Sequence, residues 1–373
     1  MVVDALLTNE NRSYSVKLSR TRQTQDTKPE MVSGAQVILK DKNGNNSMLH
    51  ETTAGIYKTD SLLFRGETDN SYILYIKSPD GTEFESDPCQ IYPVKQIDTI
   101  YFSKDQDFQN NRSVIQDGIR IFIDSENSGD GKYLRWMYNE CWKFSIPNPK
   151  KYDYINQSNI PEVGQIKQDC YCHNESDEII IHSTESAQTS RIENEPILFI
   201  ASGTSDRLLI QYSIEIKQLS LSRTEYQFWE QMKQINESGG DIFEKQPFSI
   251  ASNIHNLNDP AEPVLGYFQV SAVEKKRLYI TRKDIDELDI PVFKYDCERI
   301  VVGPDDYPYS MTFDKIYAYY TASGAYFIAP VYDRGGGLLK LAFASPVCAD
   351  CTVRGSLTKP DFWIDLESPP NKK

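Results

Sequence analysis

Short stretches of alternating apolar and polar residues, separated by turn residues, dominate residues 1–90 of the chain. Such alternation puts every second side chain on one face, as a half-buried β-strand requires. Asn43-Gly44 and Asp80-Gly81 are dipeptides that hairpin turns favour. Short strands at this spacing predict a small antiparallel β-sandwich over residues 1–90. Its predicted strands are residues 2–7, 14–18, 35–39, 56–58, 71–77 and 83–86.

The pattern from residue 91 to residue 373 is also mainly that of strands. The cleanest alternation covers residues 208–216, where Ile210, Tyr212, Ile214 and Ile216 share one face. We expect a larger antiparallel β domain here, with residues 88–100 as the linker and the first strand. The other predicted strands are residues 119–123, 133–138, 142–145, 178–182, 264–271, 277–280, 315–321 and 325–330.

One packed α-helix is predicted near residues 222–237. Ser222 is followed three residues later by Glu225, which is the pattern of a capping box. Gly239-Gly240 is a stop signal for the helix. Apolar side chains recur at near-helical spacing, so we expect this face to pack against a sheet. The predicted stripe consists of Tyr226, Trp229, Met232 and Ile235.

The charge balance narrows the choice of partners. Lys and Arg number 40 and Asp and Glu number 54, which gives a formal net charge of −14. This balance argues against nucleic acid or an anionic membrane surface as the main partner. No apolar run approaches the roughly eighteen residues of a membrane-spanning helix.

The seven cysteines favour an oxidising compartment. Five of them lie in turn-like or aromatic sequence from residue 170 onward, where disulfide pairing explains their placement. We predict at least two disulfides and expect Cys89 to be free. The disulfide candidates are Cys141, Cys170, Cys172, Cys297, Cys348 and Cys351. The alternative for Cys170, Cys172, His173, Cys348 and Cys351 is a zinc site, but the residues between them do not resemble a zinc-ribbon turn.

No motif in the chain indicates a reaction. None of the four histidines stands in a recognisable nucleophile motif, and the sequence contains no Gly-x-Ser-x-Gly elbow. We therefore predict no catalytic residue, no metal and no cofactor. Aromatic side chains on strands are the candidates for a binding surface. The candidates are the exposed members of the set Trp136, Tyr138, Tyr307, Tyr309 and Tyr326.

Two resemblances refine the fold and the location. The glycines and apolar residues from Gly34 to Leu39, then Gly44, then Gly55-Ile56-Tyr57, resemble a transthyretin-like module. We therefore expect the N-terminal sandwich to be transthyretin-like or immunoglobulin-like.

Three further segments resemble one family of bacterial lipoproteins. They are the opening residues 2–20, the stretch from the predicted helix through Gly239-Gly240 to residues 264–268, and the ending from Cys348 to Trp363. In that order they resemble the Bacteroidetes outer-membrane lipoproteins grouped as domain of unknown function 4249. In that family a signal peptide and a lipid-bearing cysteine precede the first module, and neither precedes Val2 here. The resemblance implies a processed chain that is lipid-anchored at the outer membrane, on its periplasmic or cell-surface face.

The family's genes often lie beside those of TonB-dependent transporters. The resemblance therefore implies a non-catalytic envelope lipoprotein that is an accessory or ligand-capture partner in nutrient uptake. Its ligand would be an unidentified small molecule, glycan or peptide, and its membrane contact would be the lipid alone. Two alternatives remain: a secreted or surface hydrolase of glycans or peptides, and a structural or adhesive surface protein.

Overall fold

The computed structural model describes residues 1–21, 29–60, 64–109, 114–126, 132–185, 189–237, 252–309 and 311–366. The prediction of a mainly β, antiparallel protein with a packed helix is confirmed. The first nine strands are β1 (Val2–Thr8), β2 (Ser15–Arg20), β3 (Glu30–Met31), β4 (Gln36–Asp41), β5 (Asn46–Thr53), β6 (Ile56–Lys58), β7 (Ser71–Lys77), β8 (Glu83–Ser86) and β9 (Cys89–Gln90).

The remaining strands are longer on average; two of them join the N-terminal sheet and the others form three further sheets. They are β10 (Ile97–Gln109), β11 (Val114–Glu126), β12 (Tyr133–Ser145), β13 (Asp169–Glu175), β14 (Ile180–Ser183), β15 (Arg191–Ala201), β16 (Gln211–Leu221), β17 (Ile254–Asn256), β18 (Leu265–Ser271), β19 (Val273–Thr281), β20 (Ile300–Val302), β21 (Tyr326–Tyr332) and β22 (Leu338–Ala344). The α-helices are α1 (Arg223–Glu237), α2 (Arg282–Asp286), α3 (Phe313–Ala322) and α4 (Pro346–Ala349). No helix in the described part of the chain is both long and apolar enough to cross a membrane.

The N-terminal sheet has the strand order β17-β8-β7-β4-β5-β6-β2-β1-β18. The hairpins between β4 and β5 and between β7 and β8 form at the two predicted turn dipeptides. Strand β18 runs parallel to β1 along its whole length, and β17 pairs with β8. Ile254, Phe268 and Val270 join the core of this sheet. The domain boundary at residue 90 stays a prediction. The strand pairing places β17 and β18, which come much later in the chain, in the N-terminal sheet.

Gly266 makes the parallel contact between β1 and β18 possible. Its φ is +92°, and a Cβ placed there would collide with the carbonyl oxygen of Val3. A side chain is therefore excluded by both the backbone conformation and the space.

The middle of the chain folds as a sandwich of two antiparallel sheets. One sheet has the order β10-β11-β15, and the other has β13-β12-β16-β19 with β14 also beside β12. Their facing apolar residues form one core, which includes Ile121, Ile197, Trp136 and Ile214. Along one side the sandwich is closed, because the Lys276 ammonium on β19 donates to the carbonyl oxygens of Ile97 and Asp98 at 3.3 and 2.5 Å.

Helix α1 confirms the predicted helix and its cap, and its packing face is wider than the predicted stripe. The Glu225 N–H donates to Ser222 Oγ at 3.1 Å. Phe228, absent from the predicted stripe, is the most buried apolar residue of the helix, and its ring lies 4.7 Å from that of Tyr267. Tyr226 and Trp229 are half-buried beside it.

The strand predicted at residues 315–321 is wrong, because these residues belong to α3. Thr312 caps the helix by accepting a hydrogen bond from the Lys315 N–H. Ile316 and Tyr320, four residues apart, face the sheet β20-β22-β21. The closely spaced tyrosines suited a strand in composition, while their spacing and the cap suit a helix.

Candidate functional site

The side of the sandwich opposite Lys276 is open and forms a large cleft. Its volume is about 1250 Å³. One lip is β15, from which residues 195–201 all line the cleft, and the other is the stretch 177–181 that leads into β14. Both lips are sheet edges, because β15 pairs only with β11 and β14 only with β12 among the described residues. The cleft is therefore a gap between two unpaired strand edges.

One end of the cleft is crossed by a polar contact between its lips. His182 Nδ1 on β14 lies 2.9 Å from Glu195 Oε2 on β15. Near the other end are Trp142, Asp206, Arg207 and Arg354. The strand pairing is consistent with His182 and Trp142 lying at opposite ends of the cleft. Strand β14 pairs with residues 133–136 of β12, and Trp142 lies further along β12.

Asp206 is the hub of the polar cluster at that end. It is only 4% exposed, yet it accepts hydrogen bonds from Trp142 Nε1 at 3.2 Å and from the Tyr295 hydroxyl at 2.5 Å. Its carboxylate also pairs with the Arg354 guanidinium. Burial and then the bond to Asp206 raise the pKa of Tyr295, so its hydroxyl stays protonated as a donor.

Glu140 forms a second buried cluster behind Arg207. Its oxygens accept from the Tyr212 hydroxyl at 2.6 Å and from Asn174 Nδ2 at 2.8 Å, and the Arg207 guanidinium lies 3.5 Å away. Arg207 also stacks over Trp142, with its Cζ 5.2 Å from the ring centroid. This guanidinium therefore connects the two buried carboxylates through an aromatic ring.

The rim carries further charge. Arg120 is held by Asp105 at 2.5 Å and Asp107 at 2.7 Å, and its guanidinium lies over the Phe199 ring. On the opposite lip, burial and the neighbouring Asp177 raise the pKa of Glu178. The cleft is thus polar at its ends and apolar along its lips.

Two disulfides hold the C-terminal segment against this site. Cys170 pairs with Cys351 and Cys297 pairs with Cys348, with Cα–Cα distances of 5.7 and 5.8 Å. Cys170 lies on β13, so its bond anchors Cys351 only three residues before Arg354. The bridge therefore helps to position the arginine that pairs with Asp206.

The prediction of at least two disulfides is confirmed, and Cys89 is free as expected. Cys141 and Cys172 are free as well. Burial raises the pKa of both Cys89 and Cys141 to about 12, so these thiols are unreactive at neutral pH. The disulfides include Cys170, Cys348 and Cys351, so these three residues cannot serve as ligands in the alternative zinc site.

The predicted aromatic surface needs a correction. Trp136 is fully buried between the sheets, where its Nε1 donates to Gln218 at 2.8 Å, and Tyr138 is 4% exposed in the same core. Both lie on a central strand with partners on each side. Tyr307 packs on α3, which leaves Tyr309 at 84% and Tyr326 at 37% exposure as surface candidates.

Sequence reasoning missed the residues that build the cleft ends. Asp206 and Arg354 are 148 positions apart, and Glu140 sits within a strand of mostly apolar and aromatic residues. The one local signal was an acidic residue inside a segment that alternation marks as buried, because such a residue requires partners.

Comparison with protein families gives one match. The profile for a domain of unknown function, DUF4249, matches residues 1–277 and leaves residues 278–373 outside it. The match includes the opening segment and the helix segment of the resemblance but not the ending. A comparison with curated proteins found no match. Since the match covers most of the chain, from the N-terminal sheet through the cleft lips, this chain belongs to the DUF4249 family.

Proposed function

We propose that this chain is a non-catalytic binding protein of the cell envelope, and that it acts as the accessory or ligand-capture partner of a TonB-dependent outer-membrane transporter. The observation that carries the binding role is the open cleft between two strand edges. Its volume of about 1250 Å³ exceeds the roughly 300–1,000 Å³ of common small-molecule pockets, which favours an oligomeric ligand. The transporter partnership rests on the family resemblance.

The location is part of the proposal. Two disulfides favour an oxidising compartment over the cytosol. A lipid anchor at the outer membrane, on its periplasmic or cell-surface face, would place the cleft where nutrients arrive.

The state of the buried acids supports binding over hydrolysis. A general acid or base must exchange its proton with the ligand. Asp206 accepts from Trp142, Tyr295 and Arg354, and Glu140 is similarly surrounded by donors. Carboxylates whose oxygens are already occupied by several hydrogen-bond donors typically hold those donors in place. A structural or adhesive role has no specific support in the described residues.

The test is an affinity pull-down from native outer membranes with the lipidated full-length precursor. We expect a TonB-dependent transporter to be enriched in the recovered material. Tyr309→Ala and Tyr326→Ala should lower this recovery several-fold at an unchanged melting temperature, since exposed aromatic residues anchor interfaces. Leu257→Ala, at an exposed apolar position of the N-terminal unit, is the control. Saturable hydrolysis of a glycan or peptide library by the purified protein would refute the proposal.

A further inference from the structure

The lips of the cleft expose backbone groups, not only side chains. In an edge strand every second residue directs its N–H and C=O away from the neighbouring strand. Strand β15 contributes seven consecutive residues, 195–201, to the cleft wall, and no described strand pairs with its outer edge. The facing lip contributes the shorter stretch 177–181. The four residues 198–201 pair with β11 without interruption, whereas the register shifts at Ile197 and Pro196 has no N–H to donate. The wall therefore has a regular row of hydrogen-bonding groups at residues 198–201 and an irregular one before it.

The size of the cleft matches one extended chain. Seven residues at about 3.3 Å each give a length of about 23 Å. A strand within a packed sheet occupies a cross-section of about 48 Å², from a strand spacing of about 4.8 Å and a sheet spacing of about 10 Å. One strand of this length therefore fills about 1100 Å³, which the cleft volume of about 1250 Å³ can hold.

The side chains indicate the character of that strand. Ile179 and Ile181 line one lip, and Leu198 and Phe199 line the other, which suits apolar side chains on the occupant. Six carboxylates and four cationic groups line the cleft. Most of the cationic groups are engaged, as with Arg120 by Asp105 and Asp107 and with Arg354 by Asp206. The excess of negative charge favours a basic occupant.

We propose that the cleft binds an extended, basic peptide of about seven residues, which adds as a further strand to the outer edge of β15. This inference rests on the proposed function, because it names the ligand class of the same site. Backbone pairing supplies the affinity, so many sequences with alternating apolar residues are accepted. The side chains that line the cleft then select among peptides by their charge and by how well their apolar residues fit between the two lips.

The probe is an acetylated, amidated heptapeptide of alternating valine and lysine, titrated by calorimetry into the full chain. N-methylation of its alternate amides removes the donors along one edge of the peptide. Two methylated peptides are compared, one modified at the odd-numbered amides and one at the even-numbered amides. In one of them binding should weaken at least tenfold, whereas in the other (the opposite parity) it should change by less than about threefold. Equal sensitivity at both parities, insensitivity at both, or no binding at 1 mM peptide would overturn the inference.

A blocking variant ties the binding to the cleft. Thr204 is exposed beside the end of β15 and lines the cleft, so Thr204→Trp should abolish peptide binding. Thr358→Trp adds the same bulk at an exposed position that does not line the cleft, and it should bind as the wild type does. Retained binding in Thr204→Trp would refute the assigned position. If cello- or chito-oligosaccharides bind in a Thr204-dependent manner and the peptide does not, the peptide inference fails while the capture function stands.

Discussion

The most informative perturbation outside the cleft is the removal of the ionisable group of Glu225. This residue follows the cap of α1, is 3% exposed, and its Oε1 has no hydrogen-bond partner among the described residues. Burial raises its pKa from 4.5 to about 8, while the charge of Arg135 acts in the opposite direction. Burial, and to a lesser extent the charge of Glu225, raises the pKa of Cys89 and of Tyr267.

The sign of the effect follows from proton linkage. Between pH 4.5 and pH 8 the folded protein keeps the Glu225 proton and the unfolded chain loses it, so stability falls as the pH rises. At about 1.4 kcal/mol for each pH unit between the two pKa values, the full contribution is about 5 kcal/mol. Relaxation and water entry reduce such figures in real proteins, so we expect a loss of roughly 2–5 kcal/mol.

The assay is urea unfolding followed by tryptophan fluorescence at pH 5, 6, 7 and 8. Glu225→Gln keeps the shape of the side chain and cannot ionise. The variant should match the wild type within about 1 kcal/mol at pH 5 and exceed its unfolding free energy by roughly 2–5 kcal/mol at pH 8. Glu230→Gln removes an exposed carboxylate from the same helix and should keep the wild-type slope. Parallel curves for wild type and Glu225→Gln from pH 5 to pH 8 would refute the reasoning.

Three further predictions concern the covalent and backbone framework. Cys170→Ala combined with Cys351→Ala opens a loop of 181 residues and should cost about 2–5 kcal/mol in urea unfolding, whereas Cys172→Ser should cost less than about 1 kcal/mol. Alkylation of the denatured, non-reduced protein should label three cysteines by mass spectrometry, and a count of five or more would contradict the bridges. Gly266→Ala should destabilise by more than about 2 kcal/mol because its Cβ meets the Val3 carbonyl, while Gly44→Ala, also at positive φ but in open space, should cost about 1 kcal/mol. Similar losses for the two glycine variants would contradict the packing argument.

The local parts of the fold were predictable because their signals lie within a few residues of each other. Asn43-Gly44 set one hairpin and Ser222 with Glu225 set the start of α1. The error at α3 has the same local origin, because tyrosine-rich segments suit strands in composition while Thr312 supplies a helix cap. The predicted helix stripe does contact the sheet, as Tyr226 does with Tyr133, but it omitted Phe228, which packs against Tyr267.

The candidate site could not be predicted because its partners are distant in sequence. Asp206 pairs with Arg354, which lies in a C-terminal segment that the Cys170–Cys351 bridge holds against β13. The open side of the sandwich depends on which strand ends each sheet, and alternation within a strand carries no information about its neighbours. Trp136 had the composition of a binding residue, but its place on a central strand makes it core.

The return of β17 and β18 to the N-terminal sheet constrains the order in which the chain can fold. Strand β1 has β2 on one side but lacks a partner on the other until residues 265–271 have docked. Until then β1 is an open edge able to pair with other chains. The N-terminal sheet is therefore complete only when strands from much later in the chain are present. A fragment that ends near residue 90 should aggregate, whereas a fragment that extends past residue 272 contains every strand of that sheet and should aggregate less.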